Sequence, residues 1–126
     1  MKRILAHGTF DILHYGHVRY LERAKKMGDY LIVFVTSDRL AKMNGKNPYF
    51  NEQIRMKMIQ SLKVVDEVIL RDSELTVDML KQLNGDMLVT TTNYFDYLKP
   101  DFKVVKISRT RGISSTIIKR HFTNQK

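Results

Sequence analysis

The run Tyr30-Leu31-Ile32-Val33-Phe34-Val35-Thr36 limits the possible folds more than any other segment of this chain. It is continuous, apolar and rich in β-branched residues, the pattern of a strand covered on both faces, as in a parallel sheet with helices above and below. Its neighbours agree. Arg3 to His7 reads as a short buried strand, and His14 to Met27 as a helix with Tyr20, Leu21 and Ala24 on its apolar stripe, ended by Gly28-Asp29. Asn44-Gly45 and Pro48 make residues 38–50 read mostly as loop. Asn51 can cap a helix to about Leu62, with Ile54, Met58 and Leu62 on one face. Glu67 to Leu70 reads as a third strand. Val77, Leu80 and Leu83 recur at helical spacing up to a stop at Asn84-Gly85. Met87 to Thr90 and Lys103 to Ile107 are two further strands, and Ser114 or Ser115 can cap a last helix through Phe122, before a frayed tail. Strands alternating with helices predict an α/β fold: a doubly wound, Rossmann-like parallel sheet of about five strands with helices on both faces.

At 126 residues the chain is expected to form a single domain, 1–126, with one core. No apolar run is long enough to span a bilayer, and charged and polar residues interrupt any signal-peptide-like segment by Gly8-Asp11. There is no cysteine, hence no disulfide framework and no thiolate metal site. Together these features set the expectation of a cytoplasmic protein with no membrane partner. The net charge of +9 suggests an anionic partner. Its positive residues are spread along the chain, with no interleaved aromatic-basic patch, so anionic metabolites rank above nucleic acid.

The chemistry concentrates in Gly8-Thr9-Phe10-Asp11-Ile12-Leu13-His14-Tyr15-Gly16-His17. Two histidines three apart, where a strand passes into a helix, place paired donors beside the free N–H groups and partial positive charge of a helix N-terminus. That combination suits a phosphate. The alternative, an ordinary turn with two solvated histidines, leaves Gly8, Thr9 and Gly16 unexplained.

The same residues resemble the H-x-G-H signature of the nucleotidyltransferase superfamily. A second segment, Arg109-Thr110-Arg111-Gly112-Ile113-Ser114-Ser115-Thr116, resembles the R-T-x-G-I-S-[ST]-T signature of its cytidylyltransferase branch, above all the bacterial glycerol-3-phosphate cytidylyltransferases. The resemblance implies transfer of a cytidylyl group from CTP to glycerol 3-phosphate, giving CDP-glycerol and pyrophosphate. The nucleophile is already an anion, so the work is positioning and charge stabilisation rather than base catalysis.

By this resemblance His14 and His17 contact the triphosphate, and Lys46 and Arg109 supply catalytic positive charge. Thr9 and the Phe10 N–H bind phosphate oxygens, and Gly8 and Gly16 permit close approach. Asp11 binds divalent metal or orients its neighbours, and it also reads as a turn residue. Thr110 contacts the nucleotide, and Gly112, Ile113, Ser114, Ser115 and Thr116 bring a second helix N-terminus to the pyrophosphate end. Arg55 faces the acceptor. No protein metal ligand is assigned, and Mg2+ is expected to arrive with the CTP phosphates.

The resemblance further implies a homodimer and a product that feeds teichoic-acid or capsule-like polymers. Asp66 reads as structural or dimer-contacting, His7 as a packing residue, and His121 as a partner of the last helix dipole. Met43, Met56, Met58, Met79 and Met87 read as gap-fillers.

The chain departs from the family at Asn44, where relatives have lysine, at Lys63, where they often have arginine, and at Thr91-Thr92-Asn93-Tyr94. These positions fall in the base and acceptor regions. A relative using ATP or another phosphorylated alcohol or sugar, and a non-catalytic nucleotide-binding module, therefore remain as alternatives.

Overall fold

The computed structural model describes residues 1–110, 116 and 118–120. Five strands form one parallel sheet: β1 (Arg3–Gly8), β2 (Tyr30–Thr36), β3 (Glu67–Arg71), β4 (Met87–Thr90) and β5 (Val104–Lys106), in the order β3-β2-β1-β4-β5. Helices α1 (Tyr15–Lys25), α2 (Asp38–Met43), α3 (Glu52–Gln60) and α4 (Val77–Gln82) lie between them, with a 3-10 turn at Tyr94–Leu98. Thr116 and residues 118–120 are helical. This is the doubly wound, Rossmann-like α/β arrangement that the strand pattern anticipates.

Alternate residues of each strand feed two separate cores. Ile4, Ala6, Leu31, Val33 and Val35 pack with Leu21 and Ala24 of α1 and Ile59 of α3. Leu5, Ile32, Phe34 and Leu88 pack with Leu80 of α4 and with Phe95 and Leu98 of the 3-10 turn. Both faces of β2 are therefore dry, and Leu31 to Val35 are at most 2% exposed. At about 25 cal/mol per Å2 of apolar surface, such burial is the dominant favourable term in folding.

Three local expectations need correction or refinement. Residues 44–50 are loop as expected, but residues 38–43 form a short helix. Ser37 accepts a hydrogen bond from the Leu40 amide and starts α2, which buries Leu40 and Ala41. Asn44-Gly45 is that helix's stop. Gly45 sits at φ +77°, its N–H donates to Lys42 O at 3.0 Å, and the Lys46 N–H donates to Ala41 O at 2.9 Å. This paired closure of the last turn needs a residue that tolerates the left-handed region. The second correction concerns α3, which starts at the Asn51 cap as expected but buries Arg55 and Ile59, leaving Ile54 44% exposed. The third is Met43, which fills no gap and is 68% exposed.

Asn84-Gly85 does end α4, with Asn84 at φ +56° and the Gly85 N–H on Leu80 O. A Cβ on Gly85 would lie 2.5 Å from the Leu5 side chain, so helix and strand meet there only through a glycine. Asp66 accepts from the Leu31 amide at 2.8 Å and pairs with Lys25, a structural tie between β2 and α1.

Candidate active site

Parallel doubly wound sheets bind ligands beyond the carboxyl ends of their strands, where the strand order reverses. Here β1 lies between β2 and β4, and the turn after β1 carries both motif histidines. A cleft of about 860 Å3 opens there. It is lined by Gly8, Thr9, Phe10, Asp11, His14, Gly16 and His17, by Lys46, and by Arg109, Thr110 and Thr116. Two sequence motifs about ninety residues apart thus share one hollow.

The turn after β1 is built around Phe10. This residue adopts φ +53°, an unfavourable conformation for a bulky side chain, and its ring is 3% exposed in the core. A Cβ on Gly8 would lie 2.7 Å from that ring, so Gly8 lets Phe10 fold back beneath the strand end. Phe10 meets the His17 ring edge-on, with centroids 5.2 Å apart.

His14 is the N-cap of α1. Its Nδ1 accepts from the Gly16 amide at 3.0 Å, while the His14 amide donates to Nδ1 of His17 at 3.3 Å. The two rings stack 3.8 Å apart at 22°. This reciprocal cap has a chemical consequence. Both Nδ1 atoms are acceptors, so each neutral ring carries its proton on Nε2. Burial, then the neighbouring His14, hold His17 down to about pKa 4 despite the opposing pull of Asp11, and burial also lowers His14. At neutral pH the cleft therefore holds two uncharged imidazoles with fixed tautomers, and among the described residues their Nε2–H donors are unspent.

The Asp11 carboxylate accepts from the Tyr49 amide at 2.6 Å and pairs with Lys119, whose ammonium also donates to Asn47 O. It clasps the segment after α2 and the last helix to the histidine turn. Lys46 follows directly on the α2 stop. The 108–110 segment is held against α1, where Arg19 donates to Thr110 Oγ1 at 3.2 Å and Arg23 to Ser108 O at 3.0 Å.

Arg55 does not face the acceptor. It is 0% exposed and absent from the cleft wall. Its Nη1 donates to Thr9 O and Thr36 O, both at 2.7 Å, its Nε to Phe50 O, and its Nη2 pairs with Asp38 at 2.7 Å. With four of its five N–H donors used and the side chain fully buried, the guanidinium acts as a strut beneath the Thr9 loop. Gly112, Ile113, Ser114, Ser115 and His121 lie outside the described residues.

Several cleft residues were not anticipated: Tyr20, Arg23, Arg71, Phe95 and Lys119. Tyr20 reads as apolar stripe, yet its hydroxyl accepts from the His7 amide and donates to Val89 O, tying α1 across β1 and β4. Arg71 closes β3 at the carboxyl edge, and a scan of strand ends for cations would have found it. Asn44, Thr91, Thr92 and Tyr94, four of the departures from the family pattern, also line the cleft. The described lining residues carry five cations (Arg23, Lys46, Arg71, Arg109 and Lys119) against one carboxylate, Asp11. Low-dielectric walls and one sign of charge concentrate anions in such a hollow.

A sequence profile of the cytidylyltransferase-like family matches residues 5–121. The chain belongs to the cytidylyltransferase-like family. It is 38% identical over 124 residues to the glycerol-3-phosphate cytidylyltransferase of Staphylococcus aureus, covering 95% of this chain and 94% of that one. It is also 53% identical over 101 residues to an FAD synthase of Thermoplasma volcanium, spanning 80% of this chain and 61% of that protein. The crystal structure of a lipopolysaccharide core biosynthesis protein from Thermoplasma volcanium matches with a TM-score of 0.78 and 36% identity, over 87% of this chain and 98% of that one. Family and relatives make this cytidylyltransferase-like protein a nucleotidyltransferase. Among the described residues, no helix is long and apolar enough to cross a membrane.

Proposed function

We propose that the protein transfers a cytidylyl group from CTP to glycerol 3-phosphate, releasing pyrophosphate and forming CDP-glycerol. The observation carrying this reading is the stacked His14–His17 pair, with both Nδ1 atoms committed to backbone amides, in the same cleft as Lys46, Arg109 and Thr110. An acceptor phosphate oxygen attacks the α-phosphorus. The bond from that phosphorus to the β-phosphate bridging oxygen breaks, and pyrophosphate leaves with the electron pair. The two Nε2–H groups donate to oxygens that gain charge in the transition state, while Lys46 and Arg109 offset charge on the phosphates.

Arg109 and Thr110, the start of the second motif, favour cytidine. Among the described residues no group of three or more His, Cys, Asp or Glu is placed to hold a metal, and Asp11 is already paired. In this reading Mg2+ is carried by the triphosphate oxygens, as suits an ion that sheds water reluctantly, and no step runs through a protein ligand. We further propose a homodimer, which a monomer mass by light scattering at micromolar concentration would overturn.

A second reading is adenylyl transfer from ATP to FMN. The 53% identity to an FAD synthase supports it, as do Asn44 and Thr91-Thr92 in the cleft wall. Pyrophosphate release across CTP and ATP, each with glycerol 3-phosphate, phosphoethanolamine or FMN, separates the two. The first reading expects CTP with glycerol 3-phosphate to give the highest kcat/KM. Faster turnover of ATP with FMN would replace it with the second.

A further inference from the structure

The order β3-β2-β1-β4-β5 puts the histidine turn at the centre of the sheet's carboxyl edge, and Arg109-Thr110, which follow β5, toward one end. In nucleotidyl transfer the attacking and leaving oxygens lie roughly in line through the reacting phosphorus. With the nucleotide drawn to the β5 side, the acceptor approaches from the β3 side.

Arg71 ends β3 on that side, opposite Thr36 of β2. Its side chain is 7% exposed and lines the cleft. The guanidinium lies over the Phe95 ring, 5.4 Å from its centroid, and Phe95 in turn packs on His7 at 4.4 Å. This stack fixes the plane of the guanidinium. Nε donates to Ser73 O at 3.0 Å. Glu74 forms an ion pair with Nη2 at 3.6 Å but no hydrogen bond, and its half-exposed carboxylate also accepts from the Tyr94 and Tyr97 hydroxyls. Among the described residues, neither Nη1 nor Nη2 makes a hydrogen bond. A planar fork of N–H donors, held by stacking and unspent at a cleft wall, matches the oxygens of a phosphate.

The charge distribution agrees. Burial, then Arg71, Lys46 and Arg109 in that order, keep His7 neutral, with its pKa pulled down to about 3. Cations from β3, from the end of α2 and from beyond β5 thus act on one side chain near the middle of the cleft. The neutral His7 ring shares a 2.7 Å hydrogen bond with Thr90 Oγ1 and adds no competing positive charge.

We propose that Arg71 binds the phosphomonoester of the acceptor, making the β3 end of the cleft the acceptor's anionic subsite. This rests on the transferase reading above and assigns that reading's second substrate to a residue. Charge-assisted hydrogen bonds are worth about 1.5–3 kcal/mol, so their loss is read as a tenfold to hundredfold change in acceptor KM.

The test compares wild type with Arg71→Met and Arg71→Lys, after melting curves establish that each variant folds. Whichever nucleotide and acceptor pair the wild type turns over best is used. Arg71→Met is expected to raise acceptor KM by about 30-fold while nucleotide KM moves less than about threefold, and Arg71→Lys to recover part of the loss. Unchanged acceptor KM, or equal rises in both KM values, overturns the proposal. If Arg71→Met does not fold, the same KM split is read on Arg71→Lys. If the wild type turns over no pair, the transferase reading fails by itself. Calorimetry with glycerol 3-phosphate then decides for Arg71: weaker binding to the variant supports the subsite, and equal or no binding to both proteins overturns it.

Discussion

The centre of the cleft and its β3 side are built in opposite ways. At the centre, His14, Gly16, His17 and Phe10 prepare one another within eight residues of chain, through a helix cap, a stacked ring pair and a folded-back aromatic. On the β3 side, Arg71 of β3, His7 of β1 and Phe95 of the 3-10 turn after β4 are far apart in sequence and meet only because the fold brings them together. The first construction fixes a tautomer by local hydrogen bonds. The second fixes a guanidinium plane by stacking. Local chemistry of the first kind is written in neighbouring letters, and convergence of the second kind is not.

The largest expected effect tests whether the local construction stands alone. Arg55 holds the carbonyl of Thr9 from beneath, together with those of Thr36 and Phe50. Arg55→Met would leave three carbonyls and the Asp38 carboxylate without their partner. A loss of about 3–5 kcal/mol in unfolding free energy is expected, read by denaturant titration. A loss under about 1 kcal/mol would show that the motif turn needs no distant strut.

Next in size is the loss of the ring donors. His14→Asn keeps a side-chain acceptor at the helix cap while removing the Nε2–H, so kcat should fall roughly 100-fold with little change in melting temperature. His17→Ala should lower kcat at least as much. An unchanged rate in either variant would reduce the pair to a capping device.

Acid should weaken the whole arrangement before any substrate is present. His17 is held at about 4 and His7 at about 3, both below the usual histidine value of 6.5. Between those values the unfolded chain binds protons that the native protein does not, so stability is lost as pH falls from about 6.5 toward 4. The His17 contribution is about 3 kcal/mol at most. Chemical denaturation at several pH values checks it, and a flat profile over that window would contradict the buried, neutral pair.

The smallest effect concerns the lysine segment. Gly45→Ala has open space around its new Cβ but must hold φ +77°, so a cost of about 1 kcal/mol is expected, with Lys46 less well placed. No measurable cost would show that the α2 stop is not what positions Lys46.

These contrasts explain what could be read from the sequence. The apolar run of β2 and the Asn84-Gly85 stop carry their meaning in local pattern, and the sheet follows from them. Asn44-Gly45 reads as loop, but the same dipeptide also ends a helix, and the Ser37 cap that starts α2 carries no apolar periodicity of its own. Arg55 misled for another reason: by resemblance it reads as facing the acceptor, and only the carbonyls of Thr9, Thr36 and Phe50 converging on it explain its burial. The spacing of His14 and His17 suggests a phosphate cradle, but not that their tautomers are set by backbone amides.

That last point is the centre of the account, and nitrogen-15 NMR of histidine-labelled protein measures it directly. The account predicts that at neutral pH His14 and His17 are uncharged, with Nε2 protonated and Nδ1 bare, and that His17 takes up its proton only near pH 4. Protons on Nδ1, or a titration of His17 near 6.5, would contradict it.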